Sequence, residues 1–115
     1  MAELKIPERF QMNNLIAGHH DLKTWPEFYK DVETGAKRFE LRKNDRDFKV
    51  GDTLVLREWD PAKLTVLPAE PGDYTGKAVR VKVTYMISGP KFGLEAGHCI
   101  LGFKMLPSIL KNYQR

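Results

Sequence analysis

Hydrophobic and polar positions alternate most regularly from residue 79 to 87, where Val79, Val81, Val83, Tyr85 and Ile87 are interleaved with Arg80, Lys82 and Thr84. A period of two is that of a half-buried β-strand, and β-branched residues suit it. All five apolar side chains are therefore expected on one face. A Gly- and Pro-containing stretch, Ser88 to Gly97, separates this strand from a last one marked by Cys99, Leu101, Phe103 and Met105. Phe39 and Leu41 alternate with Arg38, Glu40 and Arg42, predicting a strand with an apolar inner face and a charged outer one. Val50-Gly51-Asp52 reads as a tight turn into a further strand, Thr53 to Trp59. Asp60 to Gly76, with Pro61, Pro68, Pro71, Gly72 and Gly76, has loop composition and predicts a long hairpin excursion, the segment expected to be most mobile.

One helix is predicted over Pro26 to Thr34. Thr24-Trp25-Pro26-Glu27 has the form of a capping box, with Pro26 in the first turn where amides lack helical acceptors. Phe28 and Val32 then recur at i, i+4 as its apolar face, and Gly35 supplies the stop. One short helix beside five or six short strands predicts an α+β domain, a small, mostly antiparallel, partly closed β-barrel. The expected division is an N-terminal arm over 1–14, the domain over 15–106 and a C-terminal tail over 107–115.

A chain of 115 residues, 42% hydrophobic and 30% charged, fits one globular domain rather than a disordered segment. Nineteen Lys and Arg against fifteen Asp and Glu give a net charge of +4, which favours anionic partners slightly. Lone Cys99 can form no internal disulfide, no segment approaches a membrane span, and Met1 to Phe10 lacks the apolar run of a secretory signal. A cytoplasmic protein is expected. His19, His20, His98 and Cys99 match no zinc spacing, and there is no P-loop, dinucleotide fingerprint or zincin motif, so neither metal nor cofactor is expected.

The charged segment after Gly35 holds the candidate chemistry. Attack of water on an electrophile needs a group that activates the water, donors for the negative charge that develops and a proton for the leaving group. Lys37, Glu40 and Arg42 can supply all three. Residues three apart on a regular strand face opposite ways, so Lys37 must belong to the bend after Gly35 if it is to meet Glu40. As a base, Lys37 would depend on neighbouring cations and desolvation. Paired with Glu40, it would instead stay charged and stabilise an oxyanion while Glu40 activates water, and this assignment is favoured. The bland alternative is a solvated stripe of alternating charge.

His20 and Lys23 precede the helix and are candidates for the same cleft, as proton donor and as phosphate or carbonyl contact. Asn44-Asp45-Arg46-Asp47 is a turn in which Asn44 and Arg46 can present donors to a base edge or phosphate. Glu58, Tyr74 and Glu95 complete the candidate set: an acid at a strand end, an aromatic for base stacking, and a second carboxylate from a Gly-rich loop. Trp25, Trp59 and Phe92 can also stack on a base, although core or rim packing is the better account of each.

Several of these elements together carry a resemblance. His20-Asp21-Leu22-Lys23, then Gly35-Ala36-Lys37-Arg38-Phe39-Glu40-Leu41-Arg42, then Val50-Gly51-Asp52 resemble the ASCH superfamily, relatives of the PUA fold. Asn44 to Phe48, Leu56 to Trp59 and Tyr74-Thr75-Gly76 are similar to a bacterial and phage subgroup of it. The resemblance implies a β-barrel with a cleft at the K-x-x-E segment and a modified cytosine nucleoside or RNA as partner. In one branch it implies hydrolysis of N4-acetylcytidine to cytidine and acetate; other relatives are thought to bind RNA or to cleave it. That branch carries Thr at the position of Glu40, a departure that calls for a carboxylate activating water rather than a hydroxyl nucleophile. Three functions follow as expectations: an N4-acylcytidine amidohydrolase centred on Lys37 and Glu40, a noncatalytic RNA or modified-nucleoside binder using the same cleft, or a metal-independent ribonuclease with His20 and Lys37 as acid and base. The oligomeric state is left open.

Overall fold

The computed structural model describes residues 18–64 and 71–111, in which one helix and five strands follow one another as β1 (His19–Thr24), α1 (Pro26–Glu33), β2 (Phe39–Lys43), β3 (Thr53–Leu64), β4 (Pro71–Ser88) and β5 (His98–Lys111). The strands form one sheet in the order β1-β3-β4-β5-β2, curled into a half-barrel. Only the β1–β3 pairing is parallel; β3–β4, β4–β5 and β5–β2 are antiparallel. At this level the expected barrel-like α+β architecture is what the chain adopts. Its core is made by Leu22 of β1, Tyr29 and Val32 of α1, Phe48 of the β2–β3 loop, Leu54 and Leu56 of β3, Val79, Val81 and Val83 of β4, and Cys99, Leu101 and Phe103 of β5. Burying each Leu, Val or Phe stabilises the fold by roughly 1.5–3 kcal/mol. No helix among the described residues is long and apolar enough to cross a membrane.

Several elements depart from the sequence pattern, each for a local reason. β1, whose HHDLKT sequence carries no clear period, forms by adding to β3, with His20 opposite Leu54 and Leu22 opposite Leu56. Thr24 is thereby committed to the ladder opposite Glu58 and cannot cap the helix. Trp25 is the N-cap, without a side-chain bond, and its carbonyl accepts from the amides of Phe28 and Tyr29. The helix ends at Glu33 with Thr34 as C-cap, and Gly35 leaves it at φ +86°. Its buried face is Tyr29 and Val32; Phe28 is 47% exposed, on the side away from the core.

The excursion expected over Asp60 to Gly76 is largely ladder: Asp60 pairs with Asp73 and Leu64 with Pro71, while residues 65–70 lie outside the described residues. Gly72 is required there, because a Cβ on it would stand 2.1 Å from the Trp59 ring. The tail expected from 107 onward continues β5 to Lys111, since the long β4 offers it partners: Ile109 opposite Val79 and Lys111 opposite Lys77. The N-terminal arm over 1–14 lies outside the described residues.

In β4 the single-face expectation fails at one point. Val83 pairs with Phe103 and Tyr85 with Gly102, so Thr84 is an extra residue, a β-bulge. Beyond it the faces exchange, and Tyr85, expected inside, is 66% exposed.

Tyr29 is fully buried, and its hydroxyl finds no hydrogen-bond partner among the described residues. Burial, reinforced by the charges of Glu33 and Glu58, pushes its ionisation well above the ordinary phenol range. The folded state thus holds this proton more tightly than the unfolded chain does. The associated stability is complete below about pH 10 and is lost above it by about 1.4 kcal/mol per pH unit. Tyr29→Phe is expected to change stability at pH 7 by less than about 1 kcal/mol, because no native bond is lost, and to flatten the alkaline decline in urea midpoint between about pH 10 and 11.5. An unchanged alkaline slope would show that Tyr29 ionises freely.

Candidate functional site

The site begins with an inversion of polarity in β2. Phe39 and Leu41, the apolar residues, are 47% and 57% exposed, whereas Glu40 is buried at 4%. Pairing with β5 sets this: Glu40 lies opposite Leu101 and Arg42 opposite Cys99, both on the core side, while Phe39 and Leu41 lie opposite Gly102 and Ile100. A carboxylate enters the interior at this cost when its oxygens are satisfied. Lys37 Nζ donates to Glu40 Oε1 at 2.7 Å, and Arg42 Nε donates to Oε2 at 2.9 Å.

Lys37 reaches Glu40 from the bend after α1, not from the strand. Its amide donates to the Asp31 carbonyl, which folds the segment back on the helix, and its ammonium donates a second bond, 2.7 Å, to the carbonyl of Phe39. Two of its three protons are so engaged. Arg42 Nη2 reaches across to the carbonyl of Lys23 at 2.7 Å, and Arg46 Nη1 donates to the carbonyl of Asp21. Both carbonyls belong to β1, an edge strand of the sheet. Two arginines from β2 and the loop after it therefore stitch the open side of the half-barrel where no backbone ladder does.

Around this trio lies a cleft of about 670 Å³, lined by Lys23 and Thr24 from β1, Trp25, Glu27 and Phe28 from the start of α1, Lys37, and Phe39 to Arg42 of β2. Trp25, Phe28, Phe39 and Leu41 are each about half exposed and form its apolar walls. The Lys37 ammonium stands 5.2 Å from the centre of the Phe39 ring and 6.0 Å from that of Phe28. The cleft thus has a charged, hydrogen-bonded floor between flat hydrophobic surfaces. That combination suits a planar heteroaromatic ring with a polar edge.

The structure brings Lys37, Glu40, Arg42, Lys23 and Trp25 to this cleft and leaves the other candidates elsewhere. His20 is bound to Asp52, Nε2 to Oδ2 at 2.9 Å, and packs edge-on against Phe48. It sits four residues before Thr24 on β1, roughly 13 Å along the strand. Asp52 also accepts from the amides of Gly18 and Lys49, so His20 is part of a buried structural knot. Asn44 caps its own loop, Oδ1 accepting from the Phe48 amide, and Arg46 serves the seam. Glu58 accepts from the Thr75 hydroxyl at 2.8 Å, and Tyr74 carries the Arg57 guanidinium 3.6 Å above its ring. The side chain of Glu95 is 84% exposed, 3.9 Å from His98, beyond the Lys43 end of β2 and away from Lys37. As the second carboxylate of a reacting centre it is misplaced, because the β4–β5 loop emerges at the other end of the ladder.

Sequence reasoning missed most of the apolar half of the site, Trp25 being its one candidate there. Periodicity alone reads Phe28, Phe39 and Leu41 as core, and only an unusual combination signals otherwise: a strand whose polar positions carry both signs of charge at pairing distance. Thr24 also lines the cleft, 4% exposed, its hydroxyl unpartnered among the described residues. Among the described residues no group of three or more His, Cys, Asp or Glu side chains is placed to hold a metal ion. Cys99 is buried, and desolvation, with the Asp45 charge adding to it, pushes its thiol pKa up.

Comparison with known proteins places this architecture in a family. The model of a domain of unknown function, DUF3850, matches residues 19–103, from the first residue of β1 to Phe103 of β5. The chain belongs to the DUF3850 family. It is also 34% identical over 70 residues to a protein of Escherichia phage P2 described as "Uncharacterized 12.9 kDa protein in GpA 3'region", an alignment covering 61% of this chain. The match spans 55% of that relative's length. The DUF3850 match includes every strand that builds the cleft, the bend at Lys37 and the buried Glu40.

Proposed function

We propose that this DUF3850 domain is an amidohydrolase removing the acyl group from N4-acylated cytosine nucleosides, N4-acetylcytidine being the test substrate. One observation carries the reading: a buried carboxylate held between an ammonium and a guanidinium at the floor of an aromatic-walled cleft. The base stacks between the walls. The third proton of Lys37 meets the acyl oxygen and stabilises the charge it acquires as water adds to the carbonyl carbon. Glu40, with one lone pair free on each oxygen, takes the proton from that water and returns it to N4 as the C–N bond breaks, giving cytidine and acetic acid, which loses its proton to solvent as acetate. Arg42 positions Glu40. The resemblance of the Gly35 to Arg42 segment to ASCH domains points the same way.

The second reading, a noncatalytic modified-nucleoside or RNA binder using the same cleft, is favoured by the engagement of Glu40: each of its oxygens already accepts from a cation, which lowers its basicity. Ribonuclease chemistry with His20 and Lys37 loses its support, because His20 is held by Asp52 outside the cleft. The deciding experiment is incubation of the purified chain with N4-acetylcytidine in the presence of a chelator, following cytidine by chromatography. Lys37→Ala is expected to lower turnover by about 10²–10³-fold. Binding of N4-acetylcytidine by the wild-type protein without release of cytidine would replace hydrolysis by the second reading.

A further inference from the structure

The bulge at Thr84 has a consequence on the side of the sheet opposite the core. Having exchanged faces, β4 presents Tyr85 and Ile87 outward, in register with Gly102 and Ile100 of β5, which in turn face Phe39 and Leu41 of β2. Two cross-strand rows result, Phe39–Gly102–Tyr85 and Leu41–Ile100–Ile87. The two aromatic rings are spaced by two strands, roughly 10 Å. Gly102 leaves the floor between them clear: a Cβ there would approach that of Tyr85 to 3.5 Å. Natural sheets seldom leave such a face bare.

Charge says what covers it. Lys82 and Lys104, paired with each other and exposed, border the patch on one side, and exposed Lys43 of β2 borders it on the other. Across β2, Lys82 to Ser88 of β4 and His98 to Pro107 of β5, the single acidic residue is Glu40, and it faces inward. Apolar and aromatic side chains framed by lysines, with one carboxylate, Glu95 beside His98, at the Lys43 end, complement a polyanion that also carries flat apolar groups. The patch is continuous with the cleft through Phe39 and Leu41, which belong to both.

We propose that the outer face of β2, β5 and β4 binds a single-stranded polynucleotide, with Tyr85 and Phe39 as stacking platforms for bases and Lys82, Lys104 and Lys43 as phosphate contacts. The inference is independent of what the cleft does. If the cleft does take a base, a strand lying on this face would run past its mouth.

The test is fluorescence anisotropy of the full chain with labelled 12-nucleotide oligo(U) and oligo(dT) in about 50 mM salt, repeated across a salt series. Wild type is expected to bind at least one of them. Tyr85→Ala should weaken binding by roughly 5- to 150-fold, the range for one lost base stack, and Tyr85→Phe should restore most of it. Lys82→Glu with Lys104→Glu should lower the slope of log affinity against log salt by about 1.4, two single-strand phosphate contacts. These side chains are exposed, so the variants should fold, and their N4-acetylcytidine turnover or binding should match wild type. Absence of binding by wild type, or binding unaffected by both Tyr85→Ala and the double charge reversal, overturns the proposal. So does a concentration-dependent dimer that Tyr85→Ala dissolves, which would assign the face to a second copy of the chain.

Discussion

Replacing Glu40 by alanine is expected to abolish detectable turnover of N4-acetylcytidine, by about 10³-fold or more, and to lower folding stability by about 2–3 kcal/mol. The two effects have separate origins. The first is loss of the group that moves a proton to and from the reacting water, usually worth about 10²–10⁴-fold. The second comes from leaving Lys37 and Arg42 without their shared anion. Removing one member of a buried ion pair costs about 3–5 kcal/mol, and the value is reduced here because the side chains of Lys37 and Arg42 keep 18% and 27% of their exposure. Glu40→Gln separates the terms. It retains the volume and one acceptor, so stability should fall by about half as much, while turnover should fall as far as in Glu40→Ala. Urea denaturation beside the cytidine assay measures both. A Gln variant with wild-type turnover would remove Glu40 from the chemistry.

Asp52→Ala should produce the larger loss of stability, about 3–4 kcal/mol, and leave the cleft unaltered. Its carboxylate, 3% exposed, accepts from the amide of Gly18, the amide of Lys49 and the ring of His20, at 2.9, 3.0 and 2.9 Å. Truncation strands these donors in partly buried surroundings, at about 1–3 kcal/mol for each group that water cannot reach. His20→Ala removes one of the three and should cost about 1–2 kcal/mol. The urea midpoint should move at constant m-value. Affinity for N4-acetylcytidine should stay within twofold, because the knot ties the start of β1 to the turn before β3, away from Lys37. A large loss of affinity in Asp52→Ala would show that the two ends of β1 are coupled.

The sequence carried the elements whose period matches their burial. Val79, Val81, Val83, Cys99, Leu101 and Phe103 are core residues as their spacing predicts, and Gly35 ends the helix as its position predicts. What it did not carry are decisions made by neighbours in space. β1 exists because β3 offers it an edge, although HHDLKT has no strand signature of its own. The Thr84 bulge is set by the register of β4 on β5 and reverses the faces of two residues that the alternation placed inside. For the site, the bend that lets Lys37 meet Glu40 was legible from strand parity and the preceding glycine. That Glu40 faces the core was not, because every local rule of hydrophobic patterning turns Phe39 and Leu41 inward.

That conflict makes β2 a frustrated strand. Slipping its register by one residue would bury Phe39 and Leu41 and release Glu40 and Arg42 to solvent, an exchange that transfer free energy alone would favour. The observed register is held from both ends, by the Lys37 amide on Asp31 and the Asn44 amide on Gly97, with the Phe103 amide on the Arg38 carbonyl between them. These three pins do for β2 what hydrophobicity does for its neighbours. A segment so pinned stores the difference between its native and its preferred register, and the place where it is stored is the floor of the cleft.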